Sequence, residues 1–251
     1  MNLSERIIRW IRERVRQAGS AGIVVGLSGG IDSAVAAVLA QKALGENILA
    51  LLLPCHSLPE DERDALVVAD RFHLPRERLD LAPVYDAFLK QLPSAGKVCQ
   101  ANLKPRLRMA ALYYYANKLN YLVMGTGNKS ERVMGYFTKF GDGGADLLPL
   151  GDLTKAQVRK VAKELRIPAL IIHRPPSAGL WKGQTDEEDM EIRYRDLDRI
   201  IEAMEDKKEP KVSRGKVNYV KGTMAQSRHK RSVPPIFRLK SARFPNLREK
   251  K

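Results

Sequence analysis

Residues 21–45 read AGIVVGLSGGIDSAVAAVLAQKALG, and this stretch decides the fold. Its first part, Ala21 to Leu27, is a short apolar run rich in β-branched residues, which is typical of a buried strand. A Ser-Gly-Gly loop follows, and Ser33 to Leu44 is a strong helix former that ends at a glycine, the expected C-cap. The order of strand, glycine-rich loop and helix indicates the start of an α/β fold.

The rest of the chain continues this alternation of strands and helices. Further strands are predicted at Ile48–Leu53, Arg78–Ala82 and Tyr121–Gly125. Helices are predicted for an opening segment capped by Ser4 and then at Pro59–Phe72, Val84–Leu92, Cys99–Leu119, from Thr154 onwards and at Gly183–Met204. The alternation predicts an α/β fold with a doubly wound parallel sheet and flanking helices. Residues 1–251 are expected to form a single domain with a basic, irregular segment at 207–251.

The composition excludes several classes of protein. The chain has 251 residues, 44% of them hydrophobic, which excludes collagen-like, coiled-coil and disordered proteins. Cys55 and Cys99 are far apart with no CxxC motif, so neither a zinc knuckle nor a disulfide framework is indicated and a cytoplasmic location is predicted. The sequence contains no apolar run long enough for a membrane helix, so neither secretion nor a membrane partner is expected.

The positive charge is concentrated at the end of the chain. The formal net charge is +15, and residues 207–251 contain 15 Lys and Arg against 2 Asp and Glu. Such a segment could bind RNA through its phosphates, bind a small polyanion, or be a solvated tail. Charge alone leaves these three alternatives open, although it favours the solvated tail.

The loop at Gly26 to Ser33 has the composition of a phosphate-binding loop. Three glycines and two serines expose backbone N–H groups there, at the positive end of the following helix. The pattern is neither GxGxxG nor GxxxxGK[ST], because the loop has no lysine and Asp32 stands where the helix begins. An aspartate beside phosphates needs a bridging cation, so Asp32 favours Mg²⁺ bound together with a nucleotide. The alternative is an ordinary strand-to-helix turn in which Asp32 complements the helix dipole.

Two stretches of sequence carry a resemblance to a known family. The sequence SGGIDS at 28–33 resembles the loop of the N-type ATP pyrophosphatases, which cleave ATP between the α and β phosphates. The sequence GTGNKSE at 125–131, followed by GYFTKFGDGGADLLPLGDLTK at 135–155, resembles NAD synthetase. The resemblance covers essentially the whole chain and implies an adenine nucleotide alpha hydrolase-like fold. It also implies a homodimeric ligase that performs the last step of NAD biosynthesis, in which deamido-NAD, ATP and ammonia give NAD, AMP and pyrophosphate through an acyl adenylate.

The resemblance assigns ATP and a magnesium cofactor to particular residues. The metal would be held by Asp32 and Glu131. The residues implied to bind ATP are Gly26, Leu27, Ser28, Gly29, Gly30, Ile31, Asp32, Ser33, Thr126, Lys155 and Ser177. Without the resemblance, Glu131 would be interpreted as a member of a surface ion pair. Ser177 departs from the family's usual threonine, and an arginine that many members place near Leu52 is missing.

The resemblance also assigns the second substrate and the catalytic groups. Deamido-NAD would contact Arg106, Lys139, Asp146, His229 and Lys230. Asp142 would bind ammonium and remove its proton, since only neutral ammonia is a nucleophile. Lys155 would follow the charge on departing pyrophosphate, and Asp32 completes the catalytic set. From the residues alone, Asp142 is a turn residue and Arg106 is part of a solvated helix face.

Three further expectations concern the class of enzyme. Family members that use glutamine carry an additional amidase domain, for which 251 residues leave no room, so the ammonia-dependent type is predicted and no glutaminase domain is expected. A tRNA-modifying member of the superfamily is an alternative supported by the basic segment, although the chain lacks paired cysteines and a nucleic-acid partner is not expected. A non-catalytic nucleotide-binding regulator is the second alternative.

Overall fold

The computed structural model describes residues 1–181 and 183–237. In this part of the chain a single parallel sheet has the strand order β3-β2-β1-β4. The strands are β1 Gly22–Gly26, β2 Ile48–Leu52, β3 Arg76–Arg78 and β4 Tyr121–Met124. The predicted α/β fold with a doubly wound parallel sheet is confirmed.

Helices connect and cover the strands. Their bounds are α1 Leu3–Gln17, α2 Ile31–Leu44, α3 Pro59–Arg71, α4 Ala82–Gln91, α5 Lys97–Ala101, α6 Leu103–Leu119, α7 Lys129–Met134, α8 Lys155–Glu164, α9 Ala169–His173, α10 Asp186–Asp189, α11 Tyr194–Glu205 and α12 Arg214–Gln226, followed by a 3₁₀ turn at Ser227–Lys230. Across the described ranges, none of these helices combines the length and the hydropathy that a bilayer crossing requires.

The sheet is buried on both faces because its central strands are apolar throughout. On one face, Ile23 and Val25 pack into a large core with α1, α2, α3 and α8. On the other face, Val24 and Val123 pack with Ala116 and the rest of α6. Strands that bury both faces need continuous apolar sequence rather than alternation, which explains the composition of β1.

The strand order creates a crevice beside β1. The chain leaves β1 through α2 to β2 on one side, whereas β4 pairs with β1 on the other side. The loops that follow β1 and β4 therefore diverge at the carboxyl edge of the sheet. Ligands of open α/β sheets bind at this kind of position.

A smaller apolar cluster attaches the last helices to the sheet domain. Met134 of α7 packs there with Tyr194 and Leu197 of α11 and with Val220 of α12. The C-terminal helices therefore lie against α7, which directly follows the loop after β4.

Several predicted boundaries differ from the structure for local reasons. The cap of α1 is Asn2, whose side chain accepts from the Glu5 backbone N–H, while Ser4 donates to Asn2. The third strand lies at Arg76–Arg78, earlier than predicted, because it pairs with β2 there. The predicted helix at Gly183–Met204 is two helices separated by a turn at Glu191, which has a positive φ of 52°.

The description of residues 207–251 as irregular is wrong for Arg214 to Lys230. These residues form α12 and the 3₁₀ turn. The basic side chains obscured the helical pattern, because the apolar contact of α12 depends on few residues, with Val220 fully buried. Residues 238–251 of that predicted segment lie outside the described residues.

Candidate active site

The loop between β1 and α2 presents backbone N–H groups at the crevice. No side chain caps the start of α2, where Gly30 is the N-cap. The Ser33 hydroxyl accepts from the Ser28 N–H at 3.2 Å and donates to the Gly30 carbonyl at 2.9 Å, which fixes the curve of the loop. Leu27 and Ile31 are buried in the core, so only their backbones are available to a ligand. Because α2 has 14 residues and no side chain caps its start, its N-terminal amides are suited to binding phosphate.

Gly29 is required by the tight packing of this loop. Its φ is +81°, and a Cβ atom placed on it would lie 2.3 Å from the Asp61 carbonyl oxygen of α3. We expect Gly29→Ala to lower the free energy of unfolding by about 2 kcal/mol or more, because backbone strain and a steric clash add together. Gly45→Ala is the matched control, since Gly45 has a φ of +65° but nothing within 4 Å of such an atom. Equal losses for the two variants in urea unfolding would show that the contact with α3 is unimportant.

The loop after β4 ends in a capping box that orients an acidic side chain. Asn128 is fully buried and caps α7 by accepting from the Glu131 N–H at 3.0 Å. The Glu131 carboxylate accepts in return from the Asn128 N–H at 3.2 Å. The Asn128 side-chain amide also donates to Asp32 at 2.9 Å. One asparagine therefore joins the loops that follow β1 and β4.

Three predicted residues meet in an ionic centre, which consists of Asp32, Glu131 and Lys155. The Lys155 Nζ atom lies 2.6 Å from Asp32 Oδ2 and 3.2 Å from Glu131 Oε1. The Lys155 side chain is only 1% exposed, whereas each carboxylate is 17% exposed. The carboxylates therefore face the crevice while the ammonium group lies behind them. The family resemblance had implied a role for each of these residues in binding ATP or the metal, but not their direct contact.

A second layer of hydrogen bonds fixes the start of α8, which carries Lys155. Ser130 donates to Asp198 Oδ1 at 2.5 Å and accepts from the Lys155 N–H at 3.0 Å. Asp198 also accepts from the Ala156 N–H at 2.9 Å. A buried carboxylate at the first turn of a helix satisfies amide groups that have no partner within the helix. The position of Lys155 is thus set by α7 and α11 together.

Burial and the neighbouring charges shift the pKa values of the ionic centre. Burial raises the pKa of Glu131, and the charges of Asp32 and Asp186 add to this effect against the opposing charge of Lys155. Burial acts to lower the pKa of Lys155, but the surrounding carboxylates outweigh it and the net pKa is raised. Lys155 is therefore a firmly charged ammonium ion at neutral pH.

The donor set fits a magnesium ion that binds mainly through phosphates. Asp32 and Glu131 already converge on one cation, the Lys155 ammonium group. Among residues 1–181 and 183–237, no group of three or more His, Cys, Asp or Glu side chains has the geometry of a metal site. Two carboxylates without further protein ligands suit Mg²⁺, which keeps its waters and takes its remaining ligands from a nucleotide.

The structure brings three of the five residues predicted to bind deamido-NAD into one chain of contacts. Arg106 of α6 donates to the Lys139 carbonyl at 3.3 Å. The Lys139 Nζ atom donates to the His229 carbonyl at 2.8 Å. The 3₁₀ turn after α12 is therefore joined to Arg106 and Lys139, and these residues together form a cationic strip at the position that the resemblance implies for the dinucleotide.

The other two residues of this set have contacts that limit their role. The Lys230 Nζ atom donates to the carbonyls of Gly135 at 2.7 Å and Phe137 at 3.0 Å, so it closes the end of α7. Asp146 accepts from the Val123 N–H at 2.8 Å and from the Tyr113 hydroxyl at 3.1 Å. The Asp146 carboxylate thus hydrogen-bonds to the backbone of β4, the edge strand of the sheet. The sequence motif did not indicate this structural contact.

Asp142 lies in the glycine-rich turn that follows Lys139. Its Oδ1 atom accepts from the Thr138 N–H at 2.9 Å, and the side chain is exposed. Gly143 follows it closely, and a Cβ atom there would lie 2.5 Å from the Phe137 ring. The turn is therefore packed tightly, while Asp142 as a residue is exposed to solvent.

Thr126 and Ser177 are not joined to the ionic centre by hydrogen bonds in the described structure. Thr126 is half-buried directly after β4, as predicted. Ser177 is exposed, and its hydroxyl accepts from the Gly179 N–H at 3.1 Å. The Pro176 carbonyl next to it accepts from the Asp186 N–H at 3.0 Å, which attaches this loop to α10.

The sequence motifs missed several residues around the site. Asn128 could have been found from the Asn-x-x-Glu spacing of a capping box. Tyr194 and Asp198 had no signal, because they lie on a charged helix far along the chain. Arg108 of α6 donates to the Leu53 carbonyl at 3.1 Å, so a guanidinium group does lie at the end of β2 although the sequence lacks one at Leu52.

Comparisons with known proteins agree with this geometry. A family model described as NAD synthase matches residues 3–234. The NH(3)-dependent NAD(+) synthetase of Carboxydothermus hydrogenoformans is 46% identical over 238 residues, which cover 93% of this chain and 96% of that protein.

Two solved structures extend the likeness to the fold. The structure of NMN synthetase from Francisella tularensis has a TM-score of 0.85 and 39% identity, and the match covers 97% of each chain. The NH3-dependent NAD synthetase from Campylobacter jejuni, in complex with the nitrate ion, has a TM-score of 0.83 and 31% identity, and the match covers 95% of this chain and 100% of that one. The predicted adenine nucleotide alpha hydrolase-like fold is confirmed. The chain therefore belongs to the NAD synthase family.

Proposed function

We propose that the crevice between β1 and β4 is where this ATP-dependent ligase converts deamido-NAD, ATP and ammonia into NAD, AMP and pyrophosphate. The observation that carries the assignment is the convergence of Asp32, Glu131 and Lys155 at the uncapped start of α2. Two carboxylates, an ammonium group and free amides are the groups needed to bind a triphosphate together with a divalent cation.

The first step activates a poor acyl donor. The nicotinate carboxylate is ionised at neutral pH, so it cannot be amidated directly. One of its oxygens attacks the α phosphorus of ATP, a new O–P bond forms, and the anhydride bond to the β phosphate breaks to release pyrophosphate. Lys155 and the amides of the loop after β1 stabilise the negative charge that develops on the phosphates.

We assign the magnesium site to Asp32 and Glu131. When bound there, Mg²⁺ neutralises charge on the phosphate oxygens. The two carboxylates project from separate helices, since Asp32 lies in the first turn of α2 and Glu131 in the first turn of α7. Asn128 holds these two helix starts together through its hydrogen bonds to both residues.

The second step forms the amide bond. Asp142 removes a proton from ammonium, and the resulting ammonia attacks the acyl carbon of the adenylate. The bond from that carbon to the AMP oxygen breaks, and AMP leaves. The exposed position of Asp142, in the turn that follows Lys139, supports this role.

The structure of Francisella NMN synthetase favours a second candidate substrate. That protein is 39% identical to this chain, and it is named as a synthetase of NMN, a mononucleotide. We infer that the dinucleotide is the substrate here, because the curated relatives at 46% identity are named NAD synthetases. The strip formed by Arg106, Lys139 and the 3₁₀ turn also provides cationic side chains for a pyrophosphate.

A substrate competition tests this function. The enzyme is supplied with ATP, Mg²⁺, ammonium and an equal mixture of deamido-NAD and nicotinic acid mononucleotide, and the products are separated by chromatography. We expect NAD and AMP in equal amounts with little NMN. Predominant NMN would transfer the assignment to the mononucleotide, and an absence of both products would overturn it.

We also propose that ammonia, not glutamine, is the nitrogen donor. The proposal is supported by the relative from Carboxydothermus hydrogenoformans, which is named as NH(3)-dependent and 96% of which is covered by the match. The measurement compares initial rates of NAD formation with ammonium chloride and with glutamine at equal concentration. Faster synthesis from glutamine would contradict the proposal.

A homodimer working in the cytoplasm completes the proposal. Val84 and Phe88 of α4, with Leu92 directly after the helix, form an exposed apolar stripe with 53%, 46% and 45% exposure. Apolar side chains spaced in this way on an outer helix suit a contact with a second copy. Sedimentation equilibrium checks the stoichiometry, and a monomer at micromolar concentration would exclude the dimer.

A further inference from the structure

Tyr194 lies directly beneath the ionic centre, although the sequence motifs gave it no role. It is the first residue of α11 and is 1% exposed. The Lys155 Nζ atom lies 4.9 Å from the centroid of its ring. A cation over the face of an aromatic ring is attracted by the electron density of the ring, and burial strengthens the attraction. The ring therefore supports the lysine from the side opposite the crevice.

The hydroxyl group of Tyr194 lies between the buried carboxylate of Asp186 and the half-buried carboxylate of Glu131. It donates to Asp186 Oδ2 at 2.8 Å and lies 3.3 Å from Glu131 Oε1, within hydrogen-bonding distance. Asp186 is itself 4% exposed. Two buried carboxylates repel each other unless a donor or a cation lies between them. Tyr194 is that donor: it shares its single hydroxyl proton between the two acids, with the shorter contact to Asp186 and the longer one to the Glu131 oxygen that also contacts Lys155.

The helix that carries Tyr194 is rigidly attached to the rest of the site. Asp198 lies one turn further along α11 and binds Ser130 of α7 and the Ala156 N–H of α8. The two side chains thus project from the same face of the helix. Tyr194 is therefore held in a fixed position relative to α7, which carries Glu131, and to α8, which carries Lys155.

Packing alone does not account for this tyrosine. Tyr194 belongs to the apolar cluster that joins α7, α11 and α12, where a phenylalanine would serve equally well. The hydroxyl adds no apolar contact, and its buried position next to acids would be unfavourable without hydrogen bonds.

We propose that Tyr194 is a positioning residue, whose hydroxyl holds Glu131 and whose ring supports Lys155 in the arrangement that receives the metal and the phosphates. This inference rests on the proposed function of the site. It predicts that the hydroxyl affects cation binding and the rate of the first step more than the binding of deamido-NAD.

The test uses Tyr194→Phe, which keeps the ring and removes the hydroxyl. Mn²⁺ is titrated into the full-length enzyme with a non-hydrolysable ATP analogue, and free Mn²⁺ is followed by electron paramagnetic resonance. We expect the affinity for Mn²⁺ to fall about tenfold with unchanged stoichiometry, because losing a supporting partner of a metal ligand has an effect of this size. A comparable fall in kcat should accompany it, with the KM for deamido-NAD within about twofold of the wild-type value.

Tyr219→Phe is the matched control. The Tyr219 hydroxyl donates a hydrogen bond of 2.9 Å to the Met190 carbonyl, outside the ionic centre. Tyr219→Phe should leave both the Mn²⁺ affinity and kcat unchanged. If Tyr194→Phe only misfolds a fraction of the enzyme, the stoichiometry falls while the affinity is retained, and that result overturns the inference. Wild-type affinity and kcat in Tyr194→Phe overturn it as well, whereas a wild-type enzyme that makes no NAD indicates failure of the proposed function instead.

Discussion

Lys155→Met should reduce kcat by about a hundredfold to a thousandfold. The substitution removes the one buried ammonium group of the ionic centre, which lies 2.6 Å from Asp32 and 3.2 Å from Glu131. Losing a fixed charge that stabilises the transition state has an effect of this order. Initial rates of pyrophosphate release at saturating substrates measure the loss. The KM for deamido-NAD should change little, because Lys155 does not contact the strip predicted for that substrate.

Lys129→Met is the control for removing a lysine that has two acidic partners. Lys129 is 16% exposed and lies between Asp152 and Glu205, whose side chains are 95% and 52% exposed. Its loss should change kcat by less than about threefold, because its acidic partners are solvated and lie outside the ionic centre. Equal losses in the two variants would contradict a catalytic role for Lys155.

Lys155→Met should also have a lower free energy of unfolding than the wild-type enzyme. Without Lys155, the carboxylates of Asp32, Glu131 and Asp186 face one another with no cation between them. Breaking a buried ionic cluster in this way costs about 3 kcal/mol or more. Added Mg²⁺ should return part of this stability in Lys155→Met, because the metal replaces the missing positive charge. Urea unfolding with and without Mg²⁺ measures the effect.

Asp32→Asn is expected to be the second severe variant. Asparagine keeps the shape of the side chain and can still accept from Asn128, but it loses the charge that attracts the metal and Lys155. We expect kcat to fall by about a hundredfold or more, since metal stabilisation of phosphate charge contributes several kcal/mol. Affinity for Mn²⁺ in the presence of a non-hydrolysable ATP analogue should fall in parallel.

Asp196→Asn separates this effect from the loss of any aspartate–lysine pair. Asp196 lies 2.6 Å from Lys216, the same distance as in the Asp32–Lys155 pair, but it faces α12 instead of the crevice. Its substitution should leave Mn²⁺ affinity unchanged. Retained Mn²⁺ affinity in Asp32→Asn would mean that the metal binds elsewhere.

Local sequence was sufficient to predict the sheet and the loop after β1. The run of β-branched residues before Gly26 and the alanine-rich helix after Ser33 each have one strongly preferred structure, so their order predicted the fold. Asp32 and Lys155 lie 123 positions apart in sequence. Only the family resemblance assigned both of them to one ATP site, because no local pattern links residues at such a separation.

Tertiary contacts decided the features that the sequence did not predict. The helix α12 has a weakly amphipathic, basic sequence and is held by contacts with α7 and the 3₁₀ turn. Tyr194 and Asp198 act on residues more than 40 positions away. A helix that supports a site from behind has no motif of its own, because its role depends on packing geometry and not on local pattern.

Activation of the nicotinate carboxyl group as an acyl adenylate is the chemistry on which the proposed function of this crevice depends. The most direct measurement uses deamido-NAD labelled with ¹⁸O in that carboxylate, together with ATP, Mg²⁺ and ammonium, followed by mass spectrometry of the products. We expect one ¹⁸O atom in each AMP molecule formed, since the carboxylate oxygen stays on the α phosphorus when ammonia displaces AMP. Unlabelled AMP, or ¹⁸O in inorganic phosphate with ADP as the nucleotide product, would contradict it.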